Sequence, residues 1–222
     1  MKIKFLQVFT LAFVLVAQVS CKENKNETDA GDAENVAEAS AEAQKYMVNK
    51  EESVIDWKGS KPTGTHTGTI KLESGILRLQ DSTLTGSFLI DMNTINVTDL
   101  DGDMKNNLES HLKGTVEGKE DHFFNVKNYP TAAFEITGLE KKDGKWMMAG
   151  NLTIKDQKKN IQFPVSYTQD GTTLKLTSEP FTIDRTHWNV NYGSKSVFDD
   201  LGDKFVNDDI ELTVKVIAER QM

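Results

Sequence analysis

The chain is poor in cysteine, proline and glycine. Its 222 residues include one cysteine, four prolines and fifteen glycines. A single cysteine excludes a disulfide framework and any zinc or iron–sulfur site built from several cysteines. So few prolines and glycines exclude a collagen-like chain and a proline-rich disordered chain. Hydrophobic residues make up 37% and charged residues 27%, which is ordinary for a soluble domain and excludes several membrane spans.

Positive charge is also scarce. Lysine and arginine number 26 against 34 aspartates and glutamates, which gives a net charge of -8 at pH 7. Nucleic-acid binding requires a basic surface that neutralises phosphates. We therefore expect no nucleic-acid partner.

The N-terminus has the features of an export signal. Lys2 and Lys4 precede an apolar run over residues 5–17, which is too short to span a hydrocarbon core of ~30 Å as a helix. The one cysteine, Cys21, follows with the small Ser20 before it. This arrangement resembles a bacterial lipoprotein signal, in which the cysteine becomes the lipidated first residue. We expect a signal peptide over residues 1–20 and a lipidated Cys21; the alternative is an ordinary secretory signal followed by a free cysteine.

A polar segment separates Cys21 from the rest of the chain. Residues 22–45 contain seven acidic residues, three basic residues and six alanines, with Val36 as the one large apolar residue. Such a composition buries too little apolar surface to offset the entropy of ordering. We expect residues 21–45 to form a lipidated, disordered tether. The protein would then be exported to the bacterial cell envelope and anchored to a membrane, on the periplasmic side or at the cell surface.

From residue 46 to residue 222 the chain alternates between apolar and polar residues. Ile210, Leu212, Val214 and Val216 alternate with polar residues, and similar runs recur throughout this region. A period of two is typical of strands with one buried face. Ser-Gly at 74–75 and Asp-Gly at 143–144 and 170–171 are turn signals. The pattern predicts an all-β domain of eight to ten antiparallel strands, either a sandwich or an up-and-down barrel.

One segment departs from this period. Met104, Leu108 and Leu112 recur every four residues, which predicts a short helical insert capped by Asp103 and ended by Gly114. The helix either closes one mouth of the barrel or packs as a plain crossover.

Several longer motifs resemble the YceI-like family. They are NLESHLKG from Asn107, DHFFNVKNYPTAAFEITG from Asp121, GTHTGTI from Gly64, GNLTIKDQKKNIQFPV from Gly150 and FTIDRTHWNV from Phe181. The resemblance implies an extended eight-stranded antiparallel lipocalin-like barrel that holds an isoprenoid lipid, such as a quinone or polyprenyl lipid, in its interior. The lipid anchor and an acidic insertion at residues 197–209 depart from the family pattern, and the insertion has no assigned role.

The expected ligand contacts are the inward-facing apolar residues and those near the helical insert. The lipid-binding residues expected from the alternation and the resemblance are Phe88, Ile90, Leu108, Leu112, Phe123, Phe124, Phe134, Ile136, Leu152, Ile154, Phe163, Val165 and Ile183. The alternation alone leaves open whether side chains fill the barrel. The resemblance favours an open channel, and the alternative is a filled-barrel envelope protein with a structural or partner-binding role.

Signals for catalysis or metal binding are weak. None of the four histidines stands in an HExxH motif or beside a serine or cysteine in a nucleophile motif. Asp99, Asp101 and Asp103 have the spacing of a calcium loop, but Ser110 replaces the bidentate glutamate that such a loop needs. We expect no enzyme activity, no cofactor and no resident metal. The oligomeric state is not predicted.

Overall fold

The computed structural model describes residues 28–221. The predicted signal peptide and Cys21 lie outside the described residues, so both stay predictions. None of the described helices is both long enough and apolar enough to cross a membrane.

The described chain is mostly strand, as the alternation predicts. The strands are β1 (Gly31–Asp32), β2 (Gln44–Val48), β3 (Val54–Lys61), β4 (Gly64–Gln80), β5 (Thr83–Val97), β6 (Thr131–Lys142), β7 (Lys145–Ile154), β8 (Gln157–Asp170), β9 (Thr173–Ser178), β10 (Phe181–Asp184) and β11 (Asp209–Arg220). One α-helix, α1 (Gly102–Lys113), follows β5, and two short 3₁₀ helices span Arg185–Trp188 and Gly202–Lys204.

Eight of these strands close into an antiparallel barrel. Each of β3 to β8 pairs with the next strand in the chain, and β11 closes the ring by pairing with both β9 and β3. Strand β2, like β3, pairs with both β4 and β11, at a different level along these two strands. Strand β10 pairs with β11 on the same side as β9, nearer the start of β11. The inward faces of these strands form one apolar core. The predicted eight-stranded barrel with a helical insert is therefore confirmed.

The N-terminal segment fills a gap in this ring. Strand β9 pairs with residues 165–170 of β8, which leaves the first half of β8 without a neighbour on that side. Strand β1 pairs there, with Gly31 opposite Asn160, and Thr28 links Thr182 of β10 to Gln162 of β8 through its N–H and its hydroxyl. The expectation of a disordered tether is therefore wrong for residues 28–45. Backbone pairing with an open strand edge orders a segment that has almost no apolar side chains.

The helical insert also differs in detail from the expectation. Asp101, not Asp103, is the N-cap residue, and its side chain makes no capping hydrogen bond. Gly114 ends the helix with a φ of 71°, and a Cβ there would lie 2.2 Å from the carbonyl oxygen of Glu120. Glycine is therefore required at this position by conformation and by space.

Two of the three predicted turns are turns. Asp143 and Gly144 connect β6 to β7 with positive φ values, and Gly171 lies between β8 and β9. Ser74 and Gly75 instead lie inside β4, beside a register shift. A Cβ at Gly75 would come within 2.8 Å of the Phe88 side chain, so this glycine permits close packing within a strand.

The barrel has two unlike ends. At one, which we call the hairpin end, short loops at residues 49–53, 81–82, 143–144 and 171–172 connect the strands. The other, which we call the helix mouth, carries α1, residues 115–130 and residues 185–208. The longer segments at the helix mouth contribute residues to the cavity wall.

Candidate ligand cavity

The barrel encloses an apolar cavity of about 390 Å³. This volume lies within the ~300–1,000 Å³ that is usual for ligand sites. Residues of all eight barrel strands contribute, and so do α1 and the loops of the helix mouth. A barrel filled completely by its own side chains is inconsistent with this cavity, which disfavours the filled-barrel alternative.

Most of the residues expected to line a channel do line the cavity. They are Phe88, Ile90, Leu108, Leu112, Phe123, Phe124, Phe134, Leu152, Ile154, Phe163, Val165 and Ile183. Ile136 is fully buried but is not among the lining residues, so its expected place in the cavity wall is wrong. It still faces inward, opposite Gly150 in regular register, and packs in the core. That these side chains bind lipid stays a prediction.

A row of four phenylalanines runs through the cavity wall. The ring centroids of Phe88 and Phe134 are 6.3 Å apart, those of Phe134 and Phe163 are 5.5 Å apart, and Phe163 stacks on Phe181 at 4.1 Å. Gly150 makes room for this row, because a Cβ there would lie 2.2 Å from the ring of Phe134. The row gives the cavity a large, rigid apolar surface.

Helix α1 forms part of the helix mouth. Leu108, His111 and Leu112 line the cavity, while Met104 points away with 67% of its surface exposed. The Glu109 carboxylate accepts a hydrogen bond from the backbone N–H of Val97 at 2.9 Å, which ties the helix to the end of β5. The helix thus covers the cavity with two of the three predicted side chains. Whether it moves as a lid stays a prediction.

A cluster of rings lies beside the helix. His111 Nε2 and His122 Nδ1 are 2.8 Å apart, and His122 stacks on Tyr192 with 4.2 Å between centroids. Phe123 packs against His111 and Tyr192. Burial lowers the pKa of His111, and the nearby His122 and Lys119 lower it further. At least one histidine of the pair must be neutral for the hydrogen bond between them to form.

Arg185 anchors the longest loop of the helix mouth. It is almost completely buried, and its guanidinium donates to the carbonyl oxygens of Val190, Tyr192, Val206 and Asn207. It also forms an ion pair with Asp208 at 3.3 Å. Burial lowers the pKa of Arg185, and Asp208 and Asp184 oppose this shift. The sequence alone does not identify these partners, because four of them are backbone carbonyls.

The insertion at residues 197–209 belongs to this anchored loop. The backbone N–H of Val206 donates to the carbonyl oxygen of Gly193 at 2.8 Å, which closes the loop at its base. Tyr192, Lys204 and Val206 line the cavity, whereas Val197 and Phe198 are about half exposed. The insertion therefore forms one side of the helix mouth.

Within the described range, no three histidine, cysteine, aspartate or glutamate side chains are grouped so that they could hold a metal ion. Asp99 accepts hydrogen bonds from the Thr67 N–H and from His66 at 2.9 Å each. Slight burial raises the pKa of Asp99, but these hydrogen bonds and the charge of His66 outweigh it and lower the pKa. Asp99 therefore holds strand β4 against the chain after β5.

Two solved structures have a similar fold. BcnA from Burkholderia cenocepacia matches with a TM-score of 0.56 and 20% identity, over 77% of this chain and 98% of that one. A polyisoprenoid-binding domain from Saccharophagus degradans, implicated in plant cell wall breakdown, matches with a TM-score of 0.55 and 12% identity, over 79% and 98%. At these identities the likeness concerns the fold alone. No curated protein sequence matches this chain.

The family is shown by the sequence itself. The model of the YceI-like domain matches residues 46–218, which include the whole cavity wall and every strand of the barrel ring except the last two residues of β11. The match begins after strand β1, so the strand that fills the gap beside β8 lies outside it. The chain therefore belongs to the YceI-like domain family.

Proposed function

We propose that the protein is an exported lipoprotein that holds an isoprenoid lipid in its barrel and performs no chemistry on it. The observation that carries this proposal is the apolar cavity of about 390 Å³, whose lining extends to the helix mouth. Each buried CH₂ group of a ligand contributes roughly 0.8 kcal/mol. An isoprenoid tail offers many such groups, and part of the gain offsets the cost of association and ordering.

The shape and lining of the cavity favour a long apolar tail over a polar ligand. Its wall is built from phenylalanine and aliphatic side chains, and the polar groups that line it are concentrated near the helix mouth. Ser60, Lys61, His66, His111 and Asn207 are among these polar groups. A tail in the barrel would leave a head group, such as a quinone ring, beside them. The family membership and the polyisoprenoid-binding relative support this ligand class.

Titration of the delipidated protein tests the ligand. We expect saturable binding of a polyprenol and of a quinone with the same tail, and much weaker binding of the quinone head group without its tail. Binding of the tailless head group alone, at equal affinity, would contradict the proposal. Trp57 and Trp188 line the cavity, so quenching of their fluorescence by the quinone reports its entry. Trp146 does not line the cavity, and a Trp146→Phe variant should keep this quenching.

Substitution of Cys21 tests the anchor. A Cys21→Ser protein should leave the membrane fraction, because the diacyl anchor of a lipoprotein is stable where a single acyl chain is not. Binding of the polyprenol should be unchanged, since the cavity lies within residues 55–216. A Cys21→Ser protein that stays with salt-washed membranes would contradict the lipoprotein proposal and leave the ligand proposal intact.

A further inference from the structure

Exposed apolar side chains are concentrated at the helix mouth. Among the described residues, the large apolar side chains that are exposed are Met104, Tyr192, Val197, Phe198, Val36 and Leu89. The first four lie on α1 or on the loop anchored by Arg185, and the loops of the hairpin end contribute none. Such an asymmetry between the two ends marks an interaction surface at the helix mouth.

We propose that the helix mouth docks on the surface of a lipid bilayer, with Val197, Phe198 and Met104 inserted among the lipids. This inference rests on the proposed lipid cargo and lipid anchor, and it adds the route by which the cargo enters. A long apolar tail passes from bilayer to cavity without crossing water if the open end of the cavity faces the membrane. An approach through the polar hairpin end would expose the tail to water.

The position of Thr28 fits this orientation. Thr28 bonds to Thr182, which is two residues from the end of β10 and therefore about 7 Å from the helix mouth. It also bonds to Gln162, which is eight residues from the end of β8 and therefore about 27 Å from the hairpin end. The seven residues from Cys21 to Thr28 reach no more than about 25 Å. An anchor at Cys21 thus allows the helix mouth to reach the membrane and restrains the hairpin end from doing so.

The charges of the mouth loop disfavour an anionic bilayer. Asp199, Asp200 and Asp203 follow Phe198 directly or closely, while Lys195 lies over the ring of Phe205 at 3.6 Å. Carboxylates beside the inserting side chains give no attraction to anionic lipids. Zwitterionic phosphatidylcholine is therefore the bilayer on which the docking is tested.

Site-specific fluorescence on the full chain decides the matter. Phe198→Cys and Val36→Cys proteins, purified from membranes and reconstituted in phosphatidylcholine vesicles, carry an environment-sensitive nitrobenzoxadiazole label. Val36 is the matched control, because its exposure is similar to that of Phe198 (43% against 49%) but it lies on the N-terminal segment. The wild-type chain, whose one cysteine is Cys21, is treated with the label in parallel, and its signal is the background.

A lipid with a nitroxide near its head group should quench the label at position 198 strongly and that at position 36 no more than background. Equal quenching at both positions, or none at position 198, would overturn the inference. So would chemical cross-linking of position 198 to a second copy of the chain in place of quenching. In the label-free chain, Phe198→Asp should slow uptake of a polyprenol from the vesicles about tenfold, with Val36→Asp unchanged.

Extraction of the same preparations separates this inference from the proposed function. Quenching at position 198 in a protein that never contains lipid would uphold the docking surface and contradict the cargo. Bound lipid in a protein whose position 198 is not quenched would uphold the cargo and overturn the docking surface.

Discussion

The side chain of Asn151 forms hydrogen bonds with both backbone polar groups of Glu34. Asn151 Oδ1 accepts a hydrogen bond from the Glu34 N–H at 3.0 Å, and Asn151 Nδ2 donates to the Glu34 carbonyl oxygen at 2.7 Å. Asn151 is almost completely buried on the outer face of β7, beneath the N-terminal segment. One amide side chain thus pairs with the backbone as a neighbouring strand would and, together with β1 and Thr28, holds residues 28–43 on the barrel.

Replacing Asn151 by alanine should release this segment. The substitution leaves the Glu34 N–H and C=O without their partner, at a cost of about 1–3 kcal/mol in the free energy of unfolding. Residues 28–43 should become sensitive to protease and lose protection from hydrogen exchange, while the strands stay protected. The control is Asn128→Ala, which removes an exposed amide. If the segment stays protected in Asn151→Ala, pairing of β1 with β8 is sufficient to hold it.

Arg185 should be irreplaceable by lysine. Its guanidinium reaches four carbonyl oxygens and Asp208, which the single ammonium group of lysine cannot match. We expect Arg185→Lys to cost about 3 kcal/mol or more in urea unfolding and to deprotect residues 190–208 in hydrogen exchange. Arg220→Lys, at an exposed position, should behave as wild type. An Arg185→Lys protein of unchanged stability would show that the loop is held by other contacts.

Enlarging a cavity residue should reduce ligand content more than stability. Val165→Trp places a large ring in the cavity, and we expect less bound lipid with a loss of under about 1 kcal/mol in the delipidated protein. A filled core would lose about 1–3 kcal/mol on the same substitution. Ser166→Trp is the matched control, because the next residue of β8 faces outward and is exposed. Strong destabilisation of delipidated Val165→Trp would mean that the cavity cannot accept added volume.

Stability should fall on acidification in a way that depends on His111. Burial lowers the pKa of His111 below 6.5, so the unfolded chain binds more protons than the folded chain as the pH falls below about 6.5. The contribution of neutral His111 is thus fully present above that pH and is lost as the pH falls towards the lowered pKa. Thermal unfolding of wild type against His111→Gln between pH 7.5 and about pH 4.5 measures it.

His111→Gln should flatten this dependence, and His187→Gln, at a more exposed histidine, should leave it unchanged. Identical pH profiles in wild type and His111→Gln would contradict this account of the helix mouth.

The barrel was predictable because its signal is local. In β11, residues 210, 212, 214 and 216 line the cavity, as their alternation indicates, and the same holds for Phe163 and Val165 of β8. A period of two fixes which face each side chain occupies once a strand forms. Ile136 also faces inward, as its alternation indicates, but it packs in the core without lining the cavity, because periodicity fixes the face of a residue and not how far the cavity extends.

The N-terminal segment and the helix mouth were less predictable for a different reason. Residues 28–43 are polar, and their order depends on an open edge of β8 and on Asn151, both more than a hundred residues away in sequence. Met104 follows the same four-residue spacing as Leu108 and Leu112, yet it lies beyond the barrel rim and stays exposed. Long-range pairing and the position of an edge cannot be derived from composition or periodicity.

The most direct test of the central claim is native mass spectrometry of the full chain, isolated from its own membranes in mild detergent, followed by organic extraction. The account predicts one isoprenoid lipid bound per chain, kept by Ser166→Trp and depleted in Val165→Trp. A wild-type protein recovered free of lipid, or bound to straight-chain lipids alone, would contradict it.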